Sequence, residues 1–370
     1  MAFVLNSVIT IGNYHFKGVN ELVIKKNIHV IVDTAKLKIP ALASIPTKTT
    51  YTDEVQNNIS EAIAVTTALT GFKLDNKQPK SSVETADLFN EGDKVSIDLG
   101  YNGDLRNEFR GFVRRVNQTV PLEVEIEGYA WQLRNQNILA NWKKTTLKDI
   151  LSRLIQGTDI VLSPEIPSVS FDSFNIPNWN GLKVLEYLKE KQLLTIYFDD
   201  NVLYAGLEEG RNMVDTRPNK SLTGLAEVIY NIGYNCPTNQ PNLKRRLGKD
   251  NLIRVRLKTR GKDGKHTLYE AGDVGGAVMD KIIPYTRDQE YLNFTAAAYL
   301  KKLKYDGYEG TLTSFLQPFC KPGWKAILKD NKYAGARSGT YFIAGTEVQF
   351  GIKGGKRMVS ITYRLDVPTI

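Results

Sequence analysis

The sequence of 370 residues predicts a mainly β, α+β protein. Three observations carry that expectation. Short runs of alternating apolar and polar residues fill the first third, the hydrophobic period changes from 2 to about 3.6 near Thr145, and strand-like runs return after about residue 250. Short strands separated by turn residues are the pattern of a barrel or sandwich.

Leu22–Lys26, Ile28–Val32 and Asp33–Pro40 are read as early strands, and Thr52–Ile63, with Asp53 and Glu54 in its first turn, as a helix. Asp93–Tyr101 alternates cleanly, Asn102-Gly103 is a turn signal, and Phe109–Val116 and Leu122–Gly128 follow as strands. From Thr145 the residues Leu147, Ile150, Leu151, Leu154 and Ile155 form one apolar helical face. Thr146 and Asp149 make its capping box, and Gly157 ends it. A second helix is expected over Leu182–Lys191 with Asn180 as cap, then a hairpin of Leu193–Phe198 and Val202–Ala205 turning through Asp199-Asp200-Asn201. Strands resume from about residue 250, with a helix over Gln289–Lys304 and further strands across Gly310–Val367. The expected domains are residues 1–140, a small α+β module at 141–210, and residues 211–370 with an inserted basic hairpin and helix.

Charge is uneven. Residues 244–265 hold ten Lys or Arg against Asp250 and Asp263, a surplus of eight out of a net +9, so the remainder of the chain is nearly neutral. Within that window Arg254, Arg256, Lys258 and Arg260 alternate with Val255, Leu257 and Thr259, which puts four cations on one face of a strand. Gly261-Lys262-Asp263-Gly264 reads as the hairpin turn behind them. The stripe suits a solvated outer strand, an acidic protein partner or phosphates. Aromatic stacking groups are missing from the window, which argues against direct nucleic-acid binding.

Known catalytic patterns are absent. His15, His29 and His266 show no metal-ligand spacing, so no metal and no cofactor is expected. In Gly335-Ala336-Arg337-Ser338-Gly339 the serine is one place away from a nucleophile elbow. Gly351–Arg357 lacks both the first glycine and the Ser/Thr of a phosphate loop and reads as a hairpin turn. Glu123, Glu125 and Glu127 alternate with Val124 and Ile126, the pattern of a solvated strand face. Cys236 and Cys320 are too few for a disulfide scaffold, although a bridge between them stays open. No leader and no run of about 20 apolar residues is present, so a soluble protein folded in a cytoplasm is expected.

Three segments together resemble the baseplate hub family of contractile phage tails and related injection systems. They are Gly92–Tyr101 continuing through Phe109-Arg110-Gly111-Phe112-Val113, the helical module opening at Thr145-Thr146-Leu147 with its Asp199-Asp200-Asn201 hairpin, and Gly339–Ile343 through Val348–Gly351 to the Gly354–Arg357 turn. The match spans roughly residues 90–370, with Ile31–Pro40 as its extension toward the amino end; residues 41–90 stand outside it. The resemblance implies two tail-tube-like β-barrel domains with the α+β module between them. It also implies a non-enzymatic homotrimer whose two barrels per chain make a pseudo-sixfold ring joining the tail tube protein to the spike protein. Other baseplate proteins would be further partners, in a virion tail or phage-like particle assembled in the bacterial cytoplasm. With the chain ending at Ile370, spike and lytic functions are expected on other chains. The 18 tyrosines, each with an apolar body and a polar tip, suit such interfaces. The alternative is an oligosaccharide- or nucleic-acid-binding β-barrel protein using the basic hairpin 252–265.

Overall fold

A computed structural model describes residues 4–46, 80–206, 226–237, 242–260, 266–284, 289–330 and 337–365. The first portion holds β1 (Leu5–Ile11), β2 (Tyr14–Phe16), β3 (Glu21–Asn27), β4 (Thr34–Ile39), β5 (Leu42–Pro46), β6 (Lys80–Glu84), β7 (Lys94–Tyr101), β8 (Asp104–Asn117) and β9 (Leu122–Glu127). The middle holds β10 (Asn137–Trp142), β11 (Thr145–Thr146), α1 (Leu147–Leu154), β12 (Val161–Leu162), β13 (Ser170–Phe171), β14 (Phe174–Asn180), α2 (Gly181–Lys191), β15 (Thr195–Asp199) and β16 (Val202–Gly206). The last portion runs β17 (Glu227–Asn231), β18 (Asn242–Arg246), β19 (Ile253–Arg260), β20 (His266–Gly272), β21 (Ala277–Pro284), α3 (Gln289–Leu303), β22 (Gly307–Phe315), β23 (Lys325–Lys329), β24 (Gly339–Gly351) and β25 (Gly354–Arg364).

Among the described residues, thirteen strands join in one sheet, ordered β18-β22-β25-β24-β3-β4-β9-β8-β7-β1-β2, with β23 on β24 and β17 on β23. The join between the first and last portions is the antiparallel pairing of β3 with β24, from Asn27 opposite Gly345 to Glu21 opposite Gly351. Alternation explains which face is buried. Leu22 and Ile24, Leu37 and Ile39, Val124 and Ile126, Ile9 and Ile11, Ile97 and Leu99, and Val348 and Phe350 share one core cluster. Their polar neighbours cross-pair on the opposite face, as Lys36 with Glu123 and Lys38 with Glu21, both at 2.8 Å. Register shifts in β7–β8 and β8–β9 bend the sheet. The bend is strong enough that a Cβ on Gly355 in β25 would sit 3.0 Å from Leu5 of β1, which lies on the far side of the strand order.

The glycine of the Phe109–Val113 segment has a physical reason. A Cβ on Gly111 would lie 2.1 Å from the Glu127 carbonyl oxygen and 2.8 Å from the Phe109 ring, so only a bare backbone lets β8 approach β9 here. Gly111→Ala is expected to destabilise the protein by about 1–3 kcal/mol through overpacking. A urea denaturation midpoint unchanged from wild type would refute this.

The middle portion has its own core, in which Leu147, Ile150, Leu151 and Leu154 of α1 meet Val184, Leu185 and Leu188 of α2 and Ile196 and Leu203 of the β15–β16 hairpin. The Thr146–Asp149 capping box and the Asn180 cap form as expected, with Asn180 Oδ1 accepting from Lys183 N at 2.9 Å. Asp200, at φ 54°, makes the hairpin turn. A further three-stranded sheet, β20-β19-β21, packs beneath α3 through Val255, Leu257, Leu292 and Ala296.

Two expectations change. Ile28–Val32 forms turns, not a strand: Val30 N donates to Asn27 O at 3.0 Å, and Ile28 and Ile31 plug two different core clusters. Their apolar spacing thus reflects two separate burials rather than a pleat. Glu127 is buried, unlike the half-exposed Glu123 and Glu125, because the 3-10 turn after β9 delivers Arg134 onto it at 2.7 and 2.9 Å; Arg114 adds a contact at 3.1 Å. The helix expected over Thr52–Ile63 lies outside the described residues, as do the turn residues 261–265.

Candidate interaction surface

The basic strand is β19, and its alternation is as expected. Val255, Leu257 and Thr259 are buried, which directs Arg254, Arg256 and Lys258 to the face away from α3. The parallel β21 and antiparallel β20 bring acids opposite them, since Arg256 is in register with both Glu270 and Asp280. Arg256 Nε and Nη2 grip Asp280 at 2.7 and 2.9 Å, Lys258 Nζ reaches the same carboxylate at 3.2 Å, and Arg254 pairs with Glu270. The hydrogen bond from Arg256 holds the Asp280 carboxyl below the usual carboxylate range. Arg260 stands opposite His266 and Pro284.

These ion pairs change the character of the stripe. A bidentate pair satisfies the guanidinium locally, so less of the charge is available to a phosphate. Strand register also places Leu268, Val278 and Ile282 on this face, exposed by 48, 46 and 66%. Sequence reading missed them and the two acids because cross-strand neighbours follow from register, not from spacing along one strand. The only available signal was the presence of Glu270 and Asp280 in flanking alternating runs.

His15 Nδ1 lies 3.0 Å from Thr10 Oγ1 within the β1–β2 hairpin. Gly351 and Gly354 are register partners closing a two-residue turn between β24 and β25, consistent with the hairpin expected there. Cys236 and Cys320 are buried free thiols in one cluster. Burial pushes the Cys236 thiol up to about 12 and raises the Cys320 thiol as well, outweighing the hydrogen bond that Tyr230 Oη donates to Cys320 Sγ at 3.1 Å, so both sites disfavour the thiolate. Among the described residues, no three His, Cys, Asp or Glu side chains gather as a metal site, and no helix is long and apolar enough to cross a membrane.

One further charged contact was invisible in the sequence. Arg357, read there only as the end of a glycine turn, is 1% exposed and binds Glu108 of β8 at 2.5 and 3.2 Å. It also donates to the carbonyls of Leu316 and Cys320 at 3.2 and 3.4 Å. The pair pins β25 to β8 across the curled sheet.

No protein-family model matches the chain, and no curated protein matches it significantly in sequence. Solved structures do match. The 43 kDa tail protein of prophage MuSo2 from Shewanella oneidensis aligns with a TM-score of 0.57 at 12% identity, over 97% of each chain. The tail protein from Neisseria meningitidis MC58 gives 0.58 at 12% identity, over 98% of this chain and 97% of that one. The E. coli c3393 protein, a type VI secretion system component described as similar to T4 bacteriophage tail proteins gp27 and gp5, gives 0.51 at 8% identity, over 97% and 77%. The chain has the fold of phage tail proteins across its described length, the mainly β architecture expected from its sequence.

Proposed function

We propose that this chain is a structural, non-enzymatic baseplate hub of a phage tail or phage-like contractile machine. In this reading it forms a homotrimeric, pseudo-sixfold ring joining the tail tube protein to the spike protein, with other baseplate proteins around it. Its place is the virion tail or a phage-like particle. Residues 1–140 and 211–370 would supply the two barrels of each subunit, and residues 141–210 the small module between them. The carrying observation is the end-to-end likeness to tail proteins at near-complete coverage of both chains. Native mass spectrometry of the purified chain, alone and with the spike protein, tests it. Three copies per particle are expected; a monomer at high concentration, unchanged by spike protein, would overturn it.

The outward face of β20-β19-β21 is the proposed partner surface, carrying Arg254, Arg256, Lys258 and Arg260. On this face Arg254, Arg256 and Lys258 meet two acids, Glu270 and Asp280, leaving a surplus of one positive charge beside Leu268, Val278 and Ile282. Apolar side chains interleaved with arginine suit an acidic protein surface better than a nucleic acid. Ile282→Ser, which adds no charge opposite Lys258, is expected to weaken binding to a baseplate partner by about tenfold or more while the ring keeps its mass. Charge reversal at the four cations should do the same. Instead, DNA affinity falling steeply with salt and lost on charge reversal would favour the nucleic-acid alternative.

A further inference from the structure

Four charged side chains from three distant parts of the chain meet at the tip of the β15–β16 hairpin, and a fifth lies beside them, next to Thr34, the register partner of Lys25. Lys321, in the loop before β23, reaches Asp199 and Asp200 at 2.9 Å each. Lys26, at the end of β3, reaches the other oxygen of Asp200 at 3.4 Å and lies over the Phe109 ring, 5.6 Å from its centroid. The fifth is Asp33, at the entrance to β4. It is 8% exposed, its carboxyl takes a hydrogen bond from the Asn27 backbone and feels Lys26, Asp200 and Asp199, and its carbonyl accepts from Gly128 N at 2.8 Å.

We propose that Asp33 is a proton-controlled latch. With its carboxyl neutral, the hairpin stays docked between the β3–β4 corner and the Lys321 loop; with it ionised, that docking loosens. The charge count is the reason. Lys26 and Lys321 bring two positive charges, and Asp199 and Asp200 balance them. A third carboxylate leaves one buried negative charge without a cation, which is costly away from water. The remaining acid nearby, Glu127, stands opposite Thr34 and is already matched by Arg114 and Arg134.

The electrostatics agree with this geometry. Burial pushes the Asp33 carboxyl up to about 7, with Asp200 and Asp199 adding to the rise and Lys26 and the Asn27 amide opposing it. Burial also works against the Asp200 carboxylate, yet Lys26 and Lys321 outweigh it and keep that group below its ordinary value. Beside one another, Asp200 is therefore held ionised while Asp33 is pushed toward its neutral form, so the two acids take up protons in different pH ranges. Because the hairpin belongs to the middle portion and its contacts come from the first and last, the latch governs how these portions grip one another. It does not depend on the proposed hub function.

Hydrogen exchange of the full chain between pH 5.5 and 8.5, corrected for intrinsic amide rates, tests the latch. Protection of β15 and β16, taken relative to β7, should fall on the order of tenfold as pH passes about 7. Asp33→Asn should remove the fall. Asp200→Asn, at a turn position where asparagine readily takes positive φ, should move it to lower pH by relieving one like charge. If wild-type β15–β16 protection tracks β7 throughout, or if the fall survives Asp33→Asn, or if it stays in place in Asp200→Asn, the latch is wrong. Should Asp33→Asn not fold, the wild-type and Asp200→Asn profiles still decide.

Discussion

Arg357→Met is expected to lower the unfolding free energy by about 3–5 kcal/mol, because it strands the Glu108 carboxylate in the interior. Arg357 and Glu108 are 1% and 6% exposed, so water cannot take the place of the lost guanidinium. Burial alone would favour loss of the arginine proton, but the adjacent Glu108 outweighs it and holds the guanidinium charged. The substitution also removes donors to the Leu316 and Cys320 carbonyls and the stacking partner of the Phe319 ring, 5.3 Å from the guanidinium carbon. The double variant Arg357→Met, Glu108→Leu removes both charges and is expected to recover most of the loss, since a buried ion pair is often no better than apolar packing. Urea denaturation of the wild type, the single and the double variants checks both parts. A single variant within about 1 kcal/mol of wild type would show that the pair does not hold β25 to β8.

The second large effect is on pH dependence. Asp33 has its folded-state carboxyl raised from 3.8 to about 7. Below the unfolded value both states carry the proton, and the contribution to stability is fully present. Between the two values the unfolded chain ionises while the folded chain keeps its proton, so stability falls as pH rises. Above about 7 the loss levels off, at an upper limit of about 4 kcal/mol. Other carboxyls run the opposite way: Glu123, bonded to Lys36, and Asp200 are held low and favour the folded state as pH increases. The informative quantity is thus the difference between wild type and Asp33→Asn. The variant is expected to gain on wild type from pH 4 to 7 and to be the more stable at pH 8. A difference that does not change with pH would show that Asp33 titrates at its ordinary value.

The parts of the fold legible in the sequence are those set by neighbours along the chain. The capping box of Thr146 and Asp149 formed because both partners lie within one helical turn. The Asn102-Gly103 turn formed because both residues accept positive φ, at 53° and 86°. Alternation in β7, in β9 up to Ile126, and in β19 correctly identified the buried faces. The same local rule failed at Ile28–Val32, where two burials three residues apart imitate a strand.

The proposed partner surface was legible only in part. The cationic face of β19 follows from a period of two, but its neutralisation by Glu270 and Asp280 depends on which strands flank it. The net +9 that marked the basic hairpin therefore says where charge is concentrated in the chain and not how much of it faces solvent unpaired. Tertiary structure alone decided the pairing of Arg357 with Glu108 and the meeting of Lys26, Asp199, Asp200 and Lys321 beside Asp33. The physical reason is common to both. Periodicity and capping act over a few residues and can be read from one stretch of chain, whereas the energy of a buried charge depends on what distant segments bring within about 4 Å of it.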